Sequence, residues 1–195
     1  GPLPVEVEVD FGPYLGALPE DARVDEWGIA WIRGSAYHFE RMVHPLRDVQ
    51  SVREIETYPY PDLAAGSRFV DFAERIKAVH QQGLAAVASC SPVGGTVFWP
   101  AYKLRGMEAL LMDMMTAPAL AGALLDRVTE ISAALARRLA SFEIDVLWLA
   151  DDFGTQRALI VRPETWREWF KERLRTVVQA AKGVRPDLIV AFHSD

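Results

Sequence analysis

Three short apolar segments, each following a helix-like stretch and each running out into polar residues, predict an α/β protein with parallel strands. They are Leu84 to Ser89, Ile144 to Ala150 and Leu188 to Phe192. All are rich in small or branched apolar residues, as strands buried on both faces are. Amphipathic stretches separate them, and strands alternating with helices imply right-handed crossovers between parallel neighbours. Open doubly wound sheets and closed barrels both satisfy this pattern.

In chain order, the first third is punctuated by proline. Seven prolines fall before residue 62, at positions 2, 4, 13, 19, 45, 59 and 61, so long elements are not expected there. Val5, Val7 and Val9 alternate with Glu6, Glu8 and Asp10, the period of a half-exposed strand. The apolar run Trp27 to Ile32 reads as another strand. Ser51 and Glu54 have capping-box spacing, and Pro59 ends the helix they begin.

Phe69, Phe72, Ile76 and Val79 then share a helical face that Gly83 is expected to terminate. Helical stretches follow around 103–115 and 117–141, the second with Thr116 as N-cap and Pro118 in its first turn. Pro163 opens a helix whose Trp166, Phe170, Leu174, Val177 and Ala181 share a face, with Gly183 expected to close it.

Composition narrows the class. The chain has 195 residues, is 50% hydrophobic and 25% charged, and carries a formal net charge of −6. These are the values of a globular chain, and one domain is expected. No Lys/Arg stripe forms, so no nucleic-acid partner is expected. The longest apolar candidate, Met114 to Leu125, holds Pro118 and Gly122 and falls short of the ~20 residues a bilayer requires. The acidic N-terminus lacks the basic region of a signal peptide. Cys90 is the single cysteine, so a reduced cytoplasmic setting without an intrachain disulfide is the expectation.

In parallel architectures, reactive groups gather where strands end. The three apolar segments run out at Ser89-Cys90-Ser91, at Asp151-Asp152-Phe153-Gly154 and at His193-Ser194-Asp195. Adjacent carboxylates leaving a buried strand can hold a cation, orient a catalytic group or share a proton. The plainer alternative is that one Asp bonds the loop backbone while the other is solvated. His193 suits metal ligation or acid–base work, and a hydrogen-bonded core histidine is its plainer alternative. His193 and Asp195 share a strand face.

Cys90 reads as a small buried hydrophobe rather than a nucleophile. Gly94-Gly95 lacks the Lys-Ser/Thr of a phosphate loop. Phe98-Trp99-Pro100 offers either an apolar wall for a planar ligand or ordinary packing. His38, His44 and His80 read as surface residues, as do Arg162, Arg167, Arg173 and Arg175.

Several motifs together resemble the uroporphyrinogen decarboxylase superfamily in its methyltransferase-like branch. They are Asp25-Glu26-Trp27-Gly28, His44-Pro45-Leu46, Tyr58-Pro59-Tyr60-Pro61-Asp62 and Leu104-Arg105-Gly106-Met107-Glu108. Asp151-Asp152-Phe153-Gly154, Arg162-Pro163-Glu164-Thr165-Trp166 and His193-Ser194-Asp195 complete the set. The resemblance implies a (β/α)8 TIM barrel. It also implies a chain that is a partial barrel over residues 1–195, lacking C-terminal βα units and the first strand, since such barrels need about 250 residues.

The resemblance implies two chemistries. One is methyl transfer between a corrinoid protein and a thiol, with zinc held by a His-x-Cys motif and a later Cys, and for this chain it implies action on a methylated small molecule or a corrinoid. The other is decarboxylation of uroporphyrinogen in haem biosynthesis, without any cofactor. A non-catalytic barrel that binds a corrinoid or another ligand is a third expectation. The arginine-rich motif of the decarboxylases is not found, and Asp195 stands where the methyltransferases carry Cys. The expected catalytic residues are Asp151, Asp152 and His193, and the expected metal ligands His193 and Asp195. Trp27, Cys90, Phe98, Trp99 and Phe153 are the expected substrate-binding residues.

Overall fold

The computed structural model describes residues 9–33 and 40–195. The strand expected from Val5 to Val9 therefore lies outside the described residues except for Val9, and so does His38. In chain order the elements are α1 (Gly12–Leu15), β1 (Arg23–Val24), β2 (Ala30–Arg33), β3 (Glu40–Val43) and α2 (Val52–Thr57). A 3-10 turn (Gly66–Phe69), α3 (Phe72–Gln81), β4 (Val87–Ser89) and a second 3-10 turn (Pro92–Gly94) follow. Next come α4 (Phe98–Arg105), α5 (Met107–Thr116), α6 (Pro118–Ala140) and β5 (Val146–Ala150). The chain then runs through α7 (Pro163–Trp166), a π turn (Arg167–Lys171), α8 (Glu172–Val184) and β6 (Ile189–His193). No helix among the described residues is long and apolar enough to cross a membrane.

These elements fall into two compact units. One comprises the described part of Val5–Pro61 with Ala101–Leu124. Its sheet is antiparallel in the order β1-β2-β3, with Ala30 opposite Val43. The motifs of the resemblance serve this unit as a buried polar framework. Asp25 accepts hydrogen bonds from the Trp27 and Ile29 amides at 2.9 and 3.1 Å and from Trp31 Nε1 at 3.0 Å. The Tyr58 hydroxyl donates to the Trp27 carbonyl at 2.5 Å. Gly28 has φ +72°, and a Cβ there would lie 2.3 Å from the Tyr58 oxygen, so only glycine fits the turn.

Arg105 is buried, and it donates to Asp113 at 2.8 Å and to the Leu46 and Arg47 carbonyls at 2.7 and 2.8 Å. His44 departs from the expected surface role: it is half-buried, with Nδ1 2.6 Å from the Lys103 carbonyl. The capping box forms as expected, with Ser51 Oγ accepting the Glu54 amide at 3.4 Å and Glu54 accepting the Gln50 amide at 3.2 Å.

The other unit comprises Asp62–Pro100 and Leu125–Asp195. Its sheet is parallel, in the order β4-β5-β6, with Val87 opposite Val146 and Ala150 opposite His193. All three predicted parallel strands are present; β4 and β5 are shorter than their apolar runs, and β6 is displaced one residue toward His193. Phe170, Leu174, Val177 and Ala181 are buried on the expected face of the last helix.

Two helix ends differ from expectation. Thr116 does not cap α6, because it closes α5 and its hydroxyl donates to the Met112 carbonyl at 2.9 Å. Gly183 lies inside α8, which ends at Val184 with Arg185 as C-cap. His80 is exposed, as read, and sits 2.8 Å from Asp145. Arg173 is largely sheltered by Asp126 at 2.8 Å and by the Trp169 carbonyl. The strands are not covered on both faces: Val87, Trp148, Ile189 and Phe192 are 58, 40, 61 and 45% exposed.

Candidate functional site

The carboxyl ends of β5 and β6 lie side by side, because Ala150 pairs with His193. Along a strand, side chains alternate between faces, so the adjacent aspartates that leave β5 have different surroundings. Asp151 is wholly buried. One of its oxygens accepts the amides of Val97 and Phe98 at 2.7 and 3.1 Å, and the other accepts the Trp99 amide at 3.1 Å. These are the N–H groups that α4 leaves without helical partners, so Asp151 closes that helix's N-terminus. Burial pushes its pKa up to about 6, against the downward pull of the Trp99, Val97, Phe98 and Thr96 amides. The structure thus places this expected catalytic residue in the interior, with both carboxylate oxygens on backbone amides.

Asp152 is half-buried and faces β6. Its Oδ1 lies 3.5 Å from His193 Nε2 and accepts the Asp195 amide at 3.3 Å. His193 Nε2 is also 3.6 Å from Asp195 Oδ1. One donor atom from each of Asp152, His193 and Asp195 falls within 4.8 Å of the others. The His193–carboxylate separations exceed a good hydrogen bond. They approach the spacing of about 3.3–3.4 Å between ligand atoms on a tetrahedral zinc held at about 2.0–2.1 Å. One imidazole nitrogen and two carboxylate oxygens are an acceptable zinc donor set, though harder than one with thiolate. The expected pair His193 and Asp195 is therefore brought together, with Asp152 as a third member.

The expected substrate-binding residues divide differently. Trp27 is buried in the Val5–Pro61 unit. Cys90 is buried, its Sγ donates to the Ser132 carbonyl at 3.3 Å, and burial pushes its thiol up to about 12. Phe98 is buried in an aromatic cluster, with ring centroids 5.3 Å from both Phe153 and Phe170. These three side chains are all placed in the interior. Trp99 is half-buried, and its Nε1 donates to the Asp152 carbonyl at 3.4 Å. Phe153 edges a cavity of about 310 Å³ shared with Trp166, Arg167, Phe192 and Ser194. By strand alternation, Phe192 lies on the opposite face of β6 from His193.

Sequence reasoning missed Trp148, whose ring stacks on His193 with centroids 5.9 Å apart and 21° between planes. Its signal was available: on a strand it has the same parity as Asp152, and it is the bulkiest residue in a run of aliphatic ones. Gly154 is a second omission. A Cβ there would lie 2.4 Å from the Asp195 carbonyl oxygen, so glycine lets the β5 loop meet the end of β6.

A parallel α/β sheet with carboxylates and an imidazole gathered at its carboxyl edge defines the broad class. More narrowly, residues 28–195 match the uroporphyrinogen decarboxylase (URO-D) family, and the chain belongs to that family. Among solved structures, it resembles a methyltransferase from Methanosarcina mazei with a TM-score of 0.61 and 19% sequence identity. The likeness covers 87% of this chain and 47% of that one, so the chain spans about half the length of its structural relative. No curated protein matches the sequence.

Proposed function

We propose that this chain belongs to an enzyme of the family's methyltransferase-like branch, moving a methyl group between a corrinoid protein and a small molecule. Asp152, His193 and Asp195 are the proposed zinc ligands in this reading. The observation that carries it is the convergence of their three donor atoms at the carboxyl ends of neighbouring parallel strands. The structural likeness to a methyltransferase supports it as well. A zinc ion in such a position supplies Lewis acidity to a bound acceptor atom. The protein's own part is to fix the three ligands, with Trp148 stacked against the His193 ring. We further propose a partial (β/α)8 barrel in a cytoplasmic enzyme; support for the barrel comes from the 47% coverage of the relative and from the outer edges of β4 and β6, which pair with no further strand among the described residues.

Elemental mass spectrometry of the intact protein, wild type against His193→Ala, tests the reading. Stoichiometric zinc that disappears in the variant is the expected result. Turnover should vanish with it while the melting temperature stays nearly unchanged. Absence of metal from both proteins would overturn the zinc reading and redirect attention to cofactor-free decarboxylation, or to ligand binding without turnover.

A further inference from the structure

We propose that Asp151 is a positioning residue whose buried carboxylate, with Gly95 and Trp99, latches the α4 N-terminus to β5 and thereby aims Asp152 at His193. The inference rests on the zinc reading above and deepens it.

The latch has three parts. Asp151 takes the amides of Val97, Phe98 and Trp99, so the start of α4 is tied to the residue that leaves β5. Trp99 returns the tie, its indole Nε1 donating to the carbonyl of Asp152 itself at 3.4 Å. Gly95 makes the approach possible: a Cβ there would lie 2.4 Å from Asp151 Oδ1 and 2.3 Å from Trp99 Cβ. Thr96 reinforces the junction, its amide donating to the Ala150 carbonyl at 2.7 Å while its hydroxyl accepts the Ala150 amide at 3.2 Å. The peptide unit before Asp151 and the one after Asp152 are thus held, which limits the freedom of Asp152 to turn from β6. This also gives Gly95 a role outside phosphate binding. Groups that orient ligands from behind typically tune metal affinity by about 10–100-fold.

Cobalt(II) added to the metal-free intact protein is the probe, read by its visible absorption and by competition with a chromophoric chelator. Asp151→Asn replaces one acceptor oxygen with an NH₂ that must face an amide donor. It should weaken cobalt binding by about tenfold or more and shift the absorption band. Asp145→Ala is the control for a purely structural loss. Asp145 accepts the Ala86 amide at 2.6 Å at the opposite end of β5, so its loss should lower the melting temperature without moving the spectrum. If Asp151→Asn does not fold, Trp99→Phe serves, removing only the indole donor; a several-fold loss of affinity is expected. Wild-type affinity and spectrum in the folded variants would overturn the latch alone. A wild-type protein that takes up no cobalt would overturn the zinc reading and the latch together.

Discussion

Asp151 and Asp152 are neighbours in sequence with opposite fates. Burial lifts the Asp151 pKa from 3.8 to about 6. Carbon-detected NMR of its carboxyl should therefore show a midpoint near 6, and a midpoint below the model-peptide range would refute the claim that burial outweighs the amides. The sign for stability follows from linkage. A carboxyl whose folded pKa lies above its unfolded value binds its proton more tightly when folded. Its contribution is full below the unfolded pKa and is lost as pH rises through about 6. Wild type should thus lose stability relative to Asp151→Asn between about pH 4 and about pH 7. The sequence located both aspartates at a strand end, because an apolar run followed by carboxylates is a local signal. It did not say which one faces the interior. The strand is apolar on both sides, and parity assigns residues to faces without naming the face that a helix will cover.

Helices were legible wherever a face was periodic, and their ends wherever a cap made its own hydrogen bonds. Ser51 and Glu54 show the second case, so Ser51→Ala should lower stability by about 1 kcal/mol in thermal unfolding. An unchanged melting temperature would mean that the packing of Ile55, buried on the same helix, holds α2 without its cap. Thr116 has the right residue type for a cap but is occupied by its own helix, donating to Met112. Which of two abutting helices claims a threonine depends on where the chain turns, which is tertiary information. The π turn at Arg167–Lys171 was similarly hidden. It widens one turn, so Trp166, Phe170 and Leu174 step by four residues twice, and ordinary helical periodicity tolerates that.

At the scale of the whole chain, alternation of strands and helices gave the α/β class, while the proposed barrel had no support in the sequence beyond resemblance. Closure depends on strand number and stagger around a ring, and neither leaves a mark in local periodicity. The exposure of Val87, Trp148, Ile189 and Phe192, together with outer edges of β4 and β6 that pair with no further strand among the described residues, has a measurable result. Residues 1–195 produced alone should self-associate in sedimentation velocity, since bare strand edges and apolar patches pair with their own kind. A single sharp monomer boundary would contradict this.

The pairing of Ala150 with His193 described above also sets an order of events in time. Asp152 and Asp195 are 43 positions apart in the chain, and distant parallel pairings form slowly because loop closure must precede them. Until β6 docks, the aspartates and the imidazole are separate groups on a searching chain, and the proposed cation site is unassembled. Metal uptake during refolding would therefore act as a clock for the docking of β6, starting only after the neighbouring helices have already formed.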